Sequence, residues 1–223
     1  MDRVILKKKA KGLIRKNLNV FAVFALILFL CNLIIGIGNY ANIIANIYNT
    51  SGYGYIANIN YFSLPFFKFF SFAISFLLIP MLMFSIQNAS LQVARDKEIK
   101  YSMLKYGFNR LFDSVILNLL RTLFVFLWSL LLVVPGILKS YSYRMAPYLM
   151  IDDKNLTPRE ALKLSTRIMD GHRFELFVLD ISFIGWYILW WITAGVFSLY
   201  VLPYRQTSEA LFYLNLKSSE EAL

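Results

Sequence analysis

Apolar and polar positions along this chain are sorted into long blocks rather than short alternations. Asn17–Phe67 contains no Asp, Glu, Lys, Arg or His, whereas Met1–Lys16 carries seven Lys/Arg and one acid. Within the uncharged block, Leu18–Ile37 is about twenty residues of near-continuous apolar character, long enough for ~30 Å of hydrocarbon at 1.5 Å per residue. Gly36 and Gly38 are expected to end that span. Asn39–Asn60 then reads as an uncharged polar loop on the outer face, with Tyr40, Tyr48, Tyr53, Tyr55 and Tyr61 at the interface. A second span is predicted over Phe62–Ile86, with Pro65 tolerated in its first turn and Pro80 kinking its middle. A third is predicted over Leu111–Val134, ending at Pro135-Gly136.

Beyond that point the blocks shorten. Ile137–Ile151 is moderately apolar but holds Lys139, Arg144 and Pro147. Asp152–Arg173 is polar, and within it Thr157-Pro158-Arg159-Glu160 reads as a capping box with Pro at the first helical position. Leu162, Ser165, Ile168 and Met169 fall on one side of the helix after it, and Gly171 closes it. Phe174–Pro203 is about thirty residues, ~45 Å as one straight helix, so it must tilt, protrude or break. Gly185 and Gly195 are the expected break points, with a hinge near Gly185–Trp191.

A membrane setting constrains the topology. Centring a Lys, Arg or Asp in a bilayer costs about 2.5–3.5 kcal/mol on insertion scales, so the basic head stays behind while the uncharged run enters. The N-terminus is therefore expected in the cytoplasm, on a retained anchor rather than a cleaved leader. Three crossings would then leave Asp152–Arg173 outside, against its five Lys/Arg: Lys154, Arg159, Lys163, Arg167 and Arg173. The simplest repair is that Pro135-Gly136 is a turn and Ile137–Ile151 recrosses, with Lys139 and Arg144 facing other helices or snorkelling. The expected fold is all-α and polytopic, with about five or six membrane segments, some short or broken. The chain divides into a basic interfacial head (1–16), a transmembrane hairpin (17–86), a cytoplasmic basic segment (87–110), a membrane core (111–203) with a cytoplasmic helix at 157–170, and an amphipathic tail (204–223).

Composition agrees. The chain of 223 residues is 58% apolar and 17% aromatic, more than a soluble domain of this size requires. The net charge of +10 lies in short segments flanking apolar runs, which reads as topology and attraction to anionic inner-leaflet lipids rather than nucleic-acid binding. Cys31 is the only cysteine and sits in the first apolar run, so no intrachain disulfide is possible.

Chemistry inside the membrane has few candidates. Arg121 and Asp180 are ionisable residues at depth, which usually face the bundle interior, pair, or line a pathway. If the third and last apolar segments pack together, the two form an ion pair with Asn118 hydrogen-bonding nearby. Trp186, Trp190 and Trp191 read as an interfacial aromatic belt, or as the wall of a lipid or peptide cavity. His172 is the only histidine, and Asp170 and Glu175 make a poor metal set with it. Asp152 reads as capping or solvated. No Ser-His-Asp set, phosphate-cradling glycine loop or His-Glu-x-x-His motif occurs, so neither an enzyme nor a cofactor is expected.

Several residue blocks carry a resemblance. Val133-Val134-Pro135-Gly136-Ile137, Tyr141 to Tyr148, Glu160 to Ser165, Met169 to Arg173, Ser182 to Trp186 and Pro203-Tyr204 together resemble the family called domain of unknown function 975. The order and spacing match over about 100–215. The resemblance implies a polytopic helical protein of the bacterial plasma membrane and no established activity. Two function classes are open. One is a non-catalytic accessory, scaffold or protective factor (export-associated, stress-related or peptide-immunity-like) that works with other membrane proteins or with itself. The other is a small transporter or channel subunit with an Arg121/Asp180 polar site.

Overall fold

The computed structural model describes residues 3–50, 65–193 and 195–221, and every regular element among them is helical. The basic head forms α1 (Arg3–Lys16), whose Leu6, Ala10, Leu13 and Ile14 make a buried stripe at helical spacing. The head is thereby packed onto the bundle. Lys7 donates through Nζ to the Ser182 carbonyl at 2.8 Å and lies 4.3 Å from the centre of the Phe183 ring.

The first apolar helix, α2 (Leu18–Thr50), runs past the expected stop at Gly36 and Gly38, and its stretch Leu18–Gly36 is long and apolar enough to count as a span. Glycine inside a helix costs only about 1 kcal/mol relative to Ala, and no proline or charge lies beyond it to end the run. Tyr53, Tyr55 and Tyr61 lie outside the described residues, as do the side chains of Tyr40 and Tyr48. The second span comprises α3 (Pro65–Ala73) and α4 (Ile79–Ala94), joined by one wide π-helical turn over Ile74–Leu78. That turn immediately precedes Pro80, which has no N–H for the preceding ladder, so the expected disturbance at this proline takes the form of a local widening. The segment expected to turn polar at Gln87 stays helical and mostly buried to Ala94. It then turns through Asp96, at φ 58, into a 3₁₀ turn (Tyr101–Leu104) and α5 (Lys105–Asn109).

The next pair of elements reverses the chain. α6 (Leu111–Leu131) ends at Leu132, which is extended, and α7 (Val133–Ser142) folds straight back along it. Three contacts fix the antiparallel register: Gly136 against Ser129, Lys139 over the Trp128 ring at 5.1 Å, and Tyr143 against Phe124 at 6.2 Å. The turn expected at Pro135-Gly136 falls instead at Leu132, and both residues lie in the first turn of α7. A Cβ on Gly136 would lie 2.8 Å from Ser129 Cα, so the close approach of α7 to α6 requires glycine. After a turn at Arg144, α8 (Ala146–Asp152) continues the return. Arg110, just before α6, donates to the Met150 carbonyl at 2.6 Å and the Lys154 carbonyl at 3.1 Å. Thus α7 and α8 retrace α6 from end to end. Lys139 and Arg144 both face neighbouring elements.

The capping box is formed as expected. Thr157 Oγ1 accepts from the Glu160 amide and Glu160 returns the bond to the Thr157 amide, opening α9 (Pro158–Ile168). Leu162, Ser165, Ile168 and Met169 are all buried. Ser165 Oγ donates to the Ser142 carbonyl at 2.7 Å and accepts from the Met145 amide at 3.2 Å, tying α9 to the corner between α7 and α8.

The last apolar stretch does not hinge within Gly185–Trp191. It bends by 42° between α10 (Arg173–Ile181) and α11 (Ile184–Ile192), then reverses at Gly195, where φ is +89. The bend falls at Ser182–Phe183, where Lys7 meets the Ser182 carbonyl; Gly185 has open space and continues the helix. α12 (Ser198–Glu221) returns antiparallel to α10 and α11, with Trp186 against Tyr200 at 5.7 Å and Phe183 against Tyr204 at 5.0 Å. The boundary expected at Tyr204 therefore lies inside one continuous helix. Its polar run Gln206-Thr207-Ser208-Glu209 is buried in the bundle rather than forming the face of an amphipathic tail.

One end of the bundle gathers the charges. The start of α2 and the end of α4 line a common cleft there, and Asp152 meets both Arg95 and Lys217. Among the described residues, three helical stretches are long and apolar enough to cross a membrane: Leu18–Gly36, Phe69–Ala94 and Leu111–Leu131; the bent pair α10–α11 makes up to four. α7 and α8 are each shorter than a span, and α12 carries Arg205, Glu209 and Lys217, so none of the three qualifies by length and apolar character.

Candidate functional site: a closed charge network beside an open arginine groove

Four charged side chains meet where α7, α8, α10 and α12 converge. Arg144, at the corner between α7 and α8, donates through Nε and an Nη to Glu209 at 3.1 and 3.0 Å, and through an Nη to Asp180 at 3.1 Å. Arg205 Nε lies 3.3 Å from Asp180 and 3.1 Å from Glu209. Tyr141 donates its hydroxyl to Asp180 at 3.2 Å. Two arginines and two carboxylates make the set neutral, and the Glu209 side chain is 3% exposed. Its partners must therefore come from the protein. One turn beyond Arg144, Tyr148 donates to Gln206 Oε1 at 2.9 Å and stacks on Tyr213 at 5.6 Å, which extends the same seam.

The expected Arg121–Asp180 pair is not formed. Asp180 is taken by Arg144, Arg205 and Tyr141. The reason is topological: α7–α8 retraces α6, so Arg144 reaches Asp180. Arg121 is within the electrostatic field of Arg144, Glu209 and Tyr148 but forms no ion pair or hydrogen bond among the described residues. It lines a cavity of about 150 Å³ between α3–α4 and α6, with Ser75, Gln87, Ser114 and Asn118, and with Pro147 from α8. Asn118 lies beside Arg121 as expected, but as a second wall of this groove rather than as a ligand of Asp180. Ser75 and Asn118 are exposed at its mouth, whereas Gln87 and Ser114 are buried on its floor.

A second carboxylate centre lies at the charged end. Asp152 accepts from Arg95, from Tyr213 at 2.8 Å and from Lys217 at 2.9 Å, and its side chain is only 7% exposed. Burial opposes its ionisation, but the bonds from Lys217, Arg95 and Tyr213 outweigh burial and hold the carboxyl below its usual range. It is a buried clamp, where a capping or solvated role was expected. His172 Nδ1 lies 3.6 Å from Glu175. Of the tryptophans, Trp186 packs between α11 and α12 against Phe197, Tyr200 and Tyr204, while Trp191 is 82% exposed and Trp190 is also exposed. Trp186 is thus part of a helix–helix contact, unlike the exposed Trp190 and Trp191.

The roles of Glu209 and Arg205 escape the sequence because the chain beyond Tyr204 reads as an amphipathic tail outside the membrane core. Their i, i+4 spacing is the available signal.

All four network residues and Asp152 fall in one stretch of sequence. Residues 130–220 match the family model described as Protein of unknown function (DUF975). The match supports assignment to that family. No curated protein and no solved structure matches the chain. The DUF975 span holds Arg144, Asp180, Arg205 and Glu209; of the groove residues only Pro147 lies inside it.

Proposed function

We propose that this chain is a non-catalytic integral protein of a bacterial plasma membrane, with its N-terminus in the cytoplasm, and that it serves as an accessory, scaffold or protective factor for another membrane protein. The observation that carries this reading is the mutual saturation of Arg144, Asp180, Arg205 and Glu209. Charges that satisfy one another at the junction of four helices act as a clamp on the fold, and a group fully occupied in holding the structure is poorly placed to bind or turn over a substrate. The same observation weakens a transport reading built on Arg121 and Asp180, because Asp180 is not free to take cargo. Large exposed apolar side chains on α6, such as Phe112, Leu123 and Phe126, suit contact with lipid or with a neighbouring helix. The test is mild-detergent extraction from native membranes and then native mass measurement. A complex with a defined second protein is the expected result. Migration of the chain alone in every detergent, together with solute flux across vesicles that hold only the purified protein, would replace this reading with the transporter.

A further inference from the structure

We propose that the groove at Arg121 receives a carboxylate borne at mid-span by the apolar transmembrane helix of a partner protein. The proposal rests on the accessory reading and names the chemistry of its contact. Arg121, Asn118 and Gln87 converge on one cavity, and the side chain of none of the three makes a hydrogen bond among the described residues. A guanidinium and two side-chain amides form a donor-rich set, and a carboxylate is the acceptor-only group with lone pairs enough to engage it. The field at Arg121 is no substitute, because Glu209 attracts it but is already shared by Arg144 and Arg205, and Arg144 repels it.

Size and depth select the occupant. A cavity of about 150 Å³ is smaller than the ~300–1,000 Å³ typical of small-molecule sites, so it fits a side chain rather than a substrate. Arg121 lies ten residues beyond Leu111 along α6, about 15 Å, which is half of the ~30 Å hydrocarbon core. Lipid phosphates lie outside that core, whereas a carboxylate carried on an apolar helix arrives at this depth. The cavity's exposed lining residues are Ser75, from the π-helical turn, and Asn118, from α6, and the neighbouring Phe72, Leu77 and Leu119 are exposed apolar side chains that offer a seat for a helix. The π-helical turn at Ile74–Leu78 forms part of the wall, a widening frequent at functional positions in helices.

The test uses the full chain in phosphatidylcholine vesicles at pH 8, with fluorescent Leu/Ala peptides of about twenty residues, one with a central Asp and a twin with Asn. Energy transfer should show the Asp peptide binding at least about tenfold more tightly than the Asn twin. Arg121→Gln should erase that preference, Arg121→Lys should keep only part of it, and Asn118→Leu should weaken binding by closing the mouth. If Arg121→Gln does not fold, the Lys and Leu variants decide. Equal binding of the two peptides, or an Asp preference that survives Arg121→Gln, overturns the site. So does loss of the preference when anionic phosphatidylglycerol is added, which would make lipid phosphate the occupant, or Arg121-dependent self-association, which would make it a second copy. A native complex that persists in Arg121→Gln defeats this site and leaves the accessory reading standing. A chain found alone in native membranes defeats the accessory reading itself.

Discussion

Arg144 and Arg121 come from elements packed side by side and face the same level of the bundle, yet they live in opposite surroundings. Arg144 engages two carboxylates from two other helices. Arg121, on the adjacent face of α6, meets only neutral polar groups at the edge of a groove. An arginine with two acids satisfies the chain from within, whereas an arginine with amides and open space leaves a demand that the chain does not meet. The division runs along the sequence. The network lies in the DUF975 span, 130–220, and the groove is built almost wholly by residues before it.

The largest expected effect comes from breaking the first side of that contrast. Arg144→Ala leaves Glu209 and Asp180 to share Arg205, and removing one partner of a buried ion pair costs roughly 3–5 kcal/mol. Folded, monodisperse yield should collapse, and the denaturation midpoint of what remains in detergent should fall sharply. Arg121→Met removes no ion pair and should leave both near wild type. Comparable losses in the two variants would mean that Arg121 is as much a part of the clamp as Arg144. An Arg144→Glu, Glu209→Arg exchange should recover part of the yield, because the opposite charges still meet.

How much of this is legible in the sequence depends on whether a feature is local. The capping box at Thr157 and Glu160 is written in four consecutive residues, and it forms as read. The reversal after α6 is legible only in outline: the sequence places it at Pro135-Gly136, but the chain turns at Leu132 and both residues lie inside α7. The partner of Asp180 is not legible. Periodicity shows that a carboxylate faces inward, but which arginine meets it depends on the register of α7–α8 along α6, a tertiary fact. The burial of Glu209 escapes for a related reason: its helix is buried on every side over Gln206–Tyr213, so no one-sided hydrophobic stripe marks it. The length of α2 escapes because glycine alone is too weak a stop.

That register can be attacked directly. In Gly136→Ala the new methyl would press on Ser129, with its carbon 2.8 Å from the Ser129 Cα. Overpacking of this kind costs about 1–3 kcal/mol, and it should disturb the approach of Arg144 to Asp180 while leaving the α3–α4 wall of the groove in place. Thermal unfolding in detergent should show the loss, and Ser129→Gly in the same chain should restore part of it. A smaller effect, about 1–2 kcal/mol, is expected from Lys7→Met, which removes a charged hydrogen bond to the Ser182 carbonyl and a cation over the Phe183 ring. Limited proteolysis should then cut near Ser182 sooner than in the wild type. An unchanged digestion pattern would show that the bend between α10 and α11 holds without α1.

The smallest effect tests the seam between the two regions. Asp152 belongs to the DUF975 span, yet one of its three donors, Arg95, comes from the end of α4, the helix that forms the other wall of the groove. Its carboxyl is held below the ordinary value because the bonds from Lys217, Arg95 and Tyr213 prevail over burial. A carboxyl with a depressed folded pKa binds its proton more readily in the unfolded chain. Its stabilisation is therefore complete above the unfolded value of about 3.9 and is lost as pH falls through the lower folded value. The denaturation midpoint of the wild type should thus hold steady down to about pH 4 and then drop. Asp152→Asn should begin lower at neutral pH and show a shallower acid limb, because it has no such proton to gain. If the two acid limbs are parallel, the clamp at Asp152 does not govern acid stability, and α4 is held to the DUF975 span mainly by its apolar packing against α12.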